Sequence, residues 1–197
     1  METNKRQYCK ACEYPLSTCV CDAIKLISTG PNITIIQDKR ESTHAKNTAK
    51  LVKLGYLNSN IVINLNTKEL RQLQQNVAKA PEQWAVLFPS EEALDLESSA
   101  DVRNIKEWIV IDGTWKHANK IMKTHTWLND IVHYKLVTDS TSQYRIRHSN
   151  KVGSLSTLEA VAELIEGGYG LNSTSLYRSL NKMQSYWDQY RPSSESD

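Results

Sequence analysis

Beyond residue 21 the 197-residue chain contains no cysteine, and no run of about 18 apolar residues occurs anywhere in it. The second absence leaves no segment for a membrane-spanning helix. Met1 to Arg6 lead straight to a cysteine cluster with no apolar stretch between. A secretory signal is therefore not expected, and a cytoplasmic protein with no membrane partner is. No G-x-G-x-x-G follows a predicted strand, and there is no Walker loop, H-E-x-x-H or G-x-S-x-G. These absences argue against a Rossmann dehydrogenase, a P-loop enzyme and an α/β-hydrolase. Gly167-Gly168-Tyr169-Gly170 follows a helical pattern, the wrong context for a phosphate-binding turn. No internal repeat is visible.

What is present suits one compact core: 40% of the residues are hydrophobic and 23% charged. The net charge is only +2, but it is uneven. Residues 1–55 carry nine basic and five acidic side chains, residues 81–107 two and seven, and residues 115–151 seven and two. Two basic zones separated by an acidic one fit a polyanion that touches part of the surface, as well as an ordinary solvated surface.

All four cysteines lie within thirteen residues, Cys9, Cys12, Cys19 and Cys21, spaced C-x2-C-x6-C-x-C. Disulfides usually knit distant segments, so this clustering predicts a local metal knuckle. Four thiolates close a tetrahedral zinc shell with no open position, which makes the metal structural. An iron–sulfur site or free thiols are the competing readings.

After the knuckle the pattern alternates. Strands are predicted at 33–37, 61–63, 84–88, 108–111 and 131–137. Helices are predicted at 43–54, around Leu70, Leu73 and Val77 up to Pro81, and at 115–125. Ser156-Thr157-Leu158-Glu159 is a capping box opening a helix that should end at Gly167-Gly168. A last helix over 173–190 carries Leu176, Leu180, Met183 and Trp187 as one stripe, read as core or subunit contact. The fold class is therefore α/β, with a mainly parallel sheet and helices on both faces. The chain divides into a knuckle and linker (1–30), a main domain (31–191) and a disordered polar tail (192–197).

In open α/β sheets, ligands bind beyond the carboxyl ends of strands. The exit of the 108–111 strand is Asp112-Gly113-Thr114-Trp115: a carboxylate, a glycine, a hydroxyl and a large aromatic face at one turn. Asp112 there can accept a proton, hold an ammonium or bind a metal, or either Asp112 or Thr114 can cap the next helix.

These residues resemble the DTW-domain family, the tRNA-uridine aminocarboxypropyltransferases. Five segments match in order: the cysteine knuckle; Gln37 to Thr48 with Glu41, His44, Asn47 and Thr48; Leu87-Phe88-Pro89 with Glu91; Asp112-Gly113-Thr114-Trp115; and Tyr144-Arg145-Ile146-Arg147 followed by Leu155-Ser156-Thr157-Leu158-Glu159-Ala160. Two departures stand out. Asp38-Lys39 replaces the family's His-Pro, and Ser90 replaces the glycine after Phe-Pro.

The resemblance implies a fold related to the SPOUT methyltransferases, with a knotted C-terminal region that holds S-adenosylmethionine. It implies transfer of that molecule's 3-amino-3-carboxypropyl group to N3 of a tRNA uridine, releasing methylthioadenosine. The donor pocket is expected from three loops: Leu87, Phe88 and Pro89; Ile111, Asp112, Gly113, Thr114 and Trp115; and Leu155, Ser156 and Thr157. Asp112 is the candidate catalytic base, with the donor's ammonium as its alternative partner. Glu159 is a helix cap or a donor contact. For tRNA, Arg40, His44, Lys46 and Asn47 lie at one strand exit, Lys116, Lys120 and Lys123 on the polar side of the helix after Trp115, and Arg145 and Arg147 point the same way if their segment is extended. A knotted RNA methyltransferase and a non-catalytic zinc-knuckle RNA-binding module are the alternatives. Monomer and homodimer are both compatible with the sequence.

Overall fold

The structure is a computed structural model that describes residues 6–137, 142–146 and 154–188. Among these residues six strands form one sheet: β1 (Asn32–Gln37), β2 (Ser59–Ile63), β3 (Trp84–Leu87), β4 (Leu94–Asp95), β5 (Glu107–Asp112) and β6 (Val132–Lys135). Their order is β2-β1-β5-β3-β6-β4, and every neighbouring pair is parallel. The α/β expectation therefore holds, including helices on both faces.

The period of two in the strands builds both faces. Ile33 and Ile35 of β1, Ala85 and Leu87 of β3, and Trp108 and Val110 of β5 join one core cluster; Ile36, Val86 and Ile109 join the other. The first cluster is covered by α2 (Thr48–Gly55), α5 (Thr157–Tyr169) and α6 (Thr174–Asp188). The second is covered by α3 (Thr67–Lys79) and α4 (Trp115–Thr124). A short α1 (Lys39–Ser42) lies between β1 and α2. Cys12, Tyr14 and Val20 of the knuckle are buried in the first cluster, so the knuckle shares the core of the sheet domain.

Several elements differ from their predicted form. The helix expected over 43–54 is α2, which starts only at Thr48 because Asn47 caps it by accepting from the Lys50 N–H; the short α1 before it, capped by Asp38 accepting from the Arg40 N–H, was not anticipated. The helix expected to end at Gly167-Gly168 runs to Tyr169, and Gly170, at φ 66°, ends it in the left-handed conformation. Gly168 is there for packing: a Cβ would lie 2.8 Å from Val102 Cγ1. β4 was not anticipated; two residues, one of them the exposed Leu94, leave no periodicity to read. In the last helix Leu176, Leu180 and Met183 are core, but Trp187 is 36% exposed. The knotted C-terminal region that the resemblance implies is not settled by the described residues, which leave out 138–141 and 147–153. Arg147 and the tail at 192–197 lie outside the described residues. Among the described residues no helix is long and apolar enough to cross a membrane.

Candidate active site and metal centre

A parallel sheet brings all its carboxyl ends to one edge. The connection from β1 leads to β2 on one side, whereas that from β5 leads to β6 on the other. The direction of winding thus reverses between β1 and β5, the position beyond the strand ends at which open α/β sheets bind their ligands. The last register pair of these two strands is Gln37 and Asp112.

Asp112 is buried, at 7% exposure. Its carboxylate accepts from Gln37 Nε2 at 2.7 Å and from the Thr157 hydroxyl at the start of α5. The Asp38 N–H donates to the Asp112 carbonyl at 2.8 Å. Gln37 Nε2 also donates to Asn47 Oδ1, 3.2 Å away. One carboxylate thus ties together the ends of β1 and β5 and the first turn of α5. Asp112 does not cap α4; Thr114 does, accepting from the His117 N–H.

The three loops expected to form the donor pocket come together at this edge. Phe88 and Trp115 lie 6.4 Å apart, ring centroid to centroid, tilted by 55°. Trp115 Nε1 donates to Ser154 Oγ at 3.3 Å, beside Leu155 and Ser156. Leu87 and Phe88 are buried and Pro89 is exposed; Ile111, Gly113, Trp115, Leu155, Ser156 and Thr157 are half-buried. A Cβ on Gly113 would press on His117 Cβ at 3.3 Å, so the turn packs tightly on α4.

Glu159 is 1% exposed and its oxygens face protein donors. The Ser156 N–H donates to Oε2 at 2.7 Å and completes the capping box. The Gln143 N–H donates to Oε1 at 2.6 Å, and the Ser142 hydroxyl reaches both oxygens at 3.0 and 2.8 Å. Glu159 therefore anchors the 142–146 turn to α5. On the other side of that turn, Gln184, fully buried on α6, accepts from the Arg145 N–H at 2.6 Å and donates to the Gln143 carbonyl at 3.0 Å.

The cations expected to meet RNA are differently employed. Arg40, Lys116, Lys120 and Lys123 are exposed. Arg40 Nη1 lies 2.7 Å from His117 Nε2. A guanidinium only donates, so Nε2 is the acceptor and Nδ1 carries the proton; that Nδ1 is buried with no partner among the described residues. α4 leaves the exit of β5 and ends next to that of β2, where His125 Nε2 and Asn64 Oδ1 are 2.7 Å apart. His44 is exposed and its Nδ1 accepts from the Lys46 N–H, while Asn47 is a buried cap. Lys46 is half-buried: its ammonium donates to the Ile146 carbonyl at 2.6 Å, and Tyr144 Oη donates to the Lys46 carbonyl at 2.5 Å. Residues 145–146 form a turn rather than an extended segment, because Gln143 before them is held by Glu159 and Arg145 by Gln184 of α6. Arg145 is ion-paired with Asp188 at 3.3 Å.

The cysteine cluster is a metal centre in geometry. All four sulfurs lie within 4.8 Å of one another, with Cys9–Cys21 at 3.6 Å and Cys12–Cys19 at 3.7 Å. A tetrahedral thiolate shell with zinc–sulfur bonds of about 2.3 Å separates its sulfurs by about 3.8 Å. The Cys12 and Ala11 backbone N–H groups hold the Cys9 thiol at about 6, whereas hydrogen bonding to Cys12, Cys19 and Cys9 pushes Cys21 up to about 12. Four crowded sulfurs of this kind become four thiolates only around a cation, so the donor set fits zinc. The knuckle is fastened to α6: Tyr186 Oη donates to the Cys19 carbonyl at 2.6 Å, and Lys182 meets Asp22 at 2.8 Å.

Sequence reasoning missed Gln37, His117, Gln184 and the Ser142–Gln143 donors. Gln37 had a signal, a polar residue at the end of an apolar strand; the others depend on contacts between distant segments.

A family model, the DTW domain, matches residues 6–188. The chain belongs to the DTW-domain family. Its knuckle, its Asp-x-Thr-Trp turn and its Ser-Thr-x-Glu helix start all fall inside that match. Among curated relatives, a Drosophila melanogaster protein named tRNA-uridine aminocarboxypropyltransferase 2 is 29% identical over 171 residues, 82% of this chain and 66% of the relative. An Arabidopsis thaliana protein named tRNA-uridine aminocarboxypropyltransferase A is 27% identical over 139 residues, 61% and 52%. A Macaca fascicularis protein with the same name as the fly relative is 26% identical over 164 residues, 80% and 55%. The chain spans between half and two thirds of the length of these curated relatives. No solved structure matches it.

Proposed function

We propose that this chain modifies tRNA, moving the 3-amino-3-carboxypropyl group of S-adenosylmethionine to N3 of a uridine. The observation that carries the reading is the meeting of three turns at one sheet edge around a buried Asp112 bonded to Gln37 and Thr157. The names of the curated relatives supply the reaction class.

The donor fits this edge by its chemistry. Phe88 and Trp115 offer aromatic faces for an adenine, and Asp112 offers a carboxylate for an ammonium. When bound, the sulfonium supplies an electrophilic side-chain carbon: its bond to sulfur breaks as N3 bonds to it, and methylthioadenosine leaves. The residues then have two tasks. Loops 87–89, 111–115 and 155–157 orient the donor so that the side-chain carbon rather than the methyl faces the base, because the three sulfonium carbons are activated alike. Asp112, its direction fixed by Gln37 and Thr157, takes the N3 proton. Binding the donor's ammonium is its alternative role. Glu159 acts on the loop rather than the donor, since it is 1% exposed and its two oxygens together accept four hydrogen bonds from Ser142, Gln143 and Ser156.

The exposed cations Arg40, Lys116, Lys120 and Lys123 are the phosphate-reading surface, so tRNA binding weakens steeply as salt rises. Zinc in the cysteine shell holds the N-terminal segment against α6.

Incubation of the purified protein with bulk tRNA and S-adenosylmethionine tests the proposal. Nucleoside mass spectrometry should find a uridine heavier by one aminocarboxypropyl group, with methylthioadenosine released. Release of S-adenosylhomocysteine would establish a methyltransferase instead, and tRNA binding without donor binding a non-catalytic module.

A further inference from the structure

Trp187 interrupts an otherwise buried stripe. Leu176, Leu180 and Met183 on the same face of α6 are 0 to 2% exposed, whereas Trp187 is 36% exposed, far more than a core tryptophan. A large aromatic left open at the end of a helix needs a reason, since burying its ring is worth more than exposing it.

Its surroundings supply one. The Lys46 ammonium sits over the Trp187 ring, 4.7 Å from the centroid. The Arg145 guanidinium is one residue along the helix, against Asp188. Lys46 and Arg145 belong to the two loops that clasp each other through the Tyr144 hydroxyl and the Ile146 carbonyl. Those loops lead directly to the reacting centre: Asn47, next to Lys46, shares the Gln37 amide with Asp112. A partly exposed tryptophan with an ammonium over its ring and a guanidinium against the next residue, beside a site that works on a base, has the composition of a single-strand stacking platform.

The geometry points to Trp187 as a stacking platform for an unpaired base of the RNA, adjacent to the uridine being modified, with Lys46 and Arg145 on the flanking phosphates. This rests on the tRNA reading above and adds to it a residue that grips the unstacked loop. Charge favours RNA over a second copy of this chain, the other occupant an exposed aromatic could have: the Lys46 ammonium lies over the ring, and the Arg145–Asp188 pair, one residue along, adds no net negative charge.

The test compares Trp187→Leu, which keeps an apolar side chain, with Trp187→Phe, which keeps a stacking face. Affinity for bulk tRNA is measured against salt for both variants, the unchanged chain and Lys46→Gln. Trp187→Leu should bind tRNA about ten-fold or more weakly with an unchanged salt slope. Trp187→Phe should stay within about three-fold of the unchanged chain. Lys46→Gln should reduce the slope by about one. Affinity for S-adenosylmethionine, read by calorimetry, should be the same in all four. Equal tRNA affinity for Trp187→Leu and the unchanged chain overturns the platform and leaves the tRNA reading standing. A change in sedimentation with unchanged tRNA affinity overturns it in favour of a contact between copies. An unchanged chain that does not bind tRNA overturns both readings.

Discussion

Gln37 and Asp112 face each other as the last register pair of β1 and β5, and the Gln37 amide donates to the Asp112 carboxylate across 2.7 Å. The same amide donates to the cap of α2, Asn47. A side chain that carries no motif of its own therefore sets the direction of the carboxylate at the strand exits.

Asp112→Asn should fold and lose most of the proposed transferase activity, by a factor of about 100 or more if the carboxylate takes the proton. A loss in kcat at unchanged donor affinity marks the base. A loss of S-adenosylmethionine affinity marks the ammonium partner. Activity near that of the unchanged protein would remove Asp112 from the reaction.

Gln37→Leu leaves a buried carboxylate short of one donor, which costs about 1 to 3 kcal/mol of stability. Urea denaturation should show that loss, with a fall in activity under conditions where the variant is fully folded. If stability is unchanged, the Gln37–Asp112 bond does not contribute in this way.

Glu159→Gln keeps the shape of the capping box but replaces the charged acceptor that gathers Ser142, Gln143 and Ser156. Hydrogen bonds to a charged group are worth about 1.5 to 3 kcal/mol. Limited proteolysis should therefore cut the 142–146 turn faster in the variant, while donor affinity falls less than it does for Asp112→Asn. An intact turn would show that the anchor lies elsewhere.

Metal analysis should find one zinc per chain, and a strong chelator or Cys12→Ser should lower the melting temperature. The physical reason is that Cys12 is fully buried in the main core beside Tyr14 and Val20, so opening the thiolate shell also uncovers that part of the core. A chain with no bound metal and an unaltered melting temperature in chelator would make the cluster four plain thiols.

His125 gives a pH signature. Burial lowers its imidazole below the ordinary 6.5, so the folded chain holds this group neutral where the unfolded chain protonates it. Its contribution to stability is full above about 6.5 and is lost as pH falls through that value toward the folded one. Denaturation midpoints of the unchanged chain and His125→Gln should accordingly converge or cross as pH falls from about 7.5 to 5.5. A constant difference between them would show that His125 does not titrate as described.

The sequence by itself determined five of the six described strands, the fold class and the cysteine cluster, because periodicity of two, turn residues and cysteine spacing are local signals that act over a few residues. It also located the turn at Asp112 and the capping box at Ser156 and Glu159, since both are short motifs with their own hydrogen-bond logic. Boundaries moved where a cap outweighed a pattern: Asn47 starts α2 later than its apolar spacing suggests, and Gly170 lets α5 run past two glycines. Only the tertiary structure decided what those side chains face. Gln37 meets Asp112 across 75 positions, Glu159 gathers a turn that begins seventeen residues earlier, and Trp187 comes to lie beneath Lys46. Such pairings are set by strand order and helix docking, and no local spacing carries them.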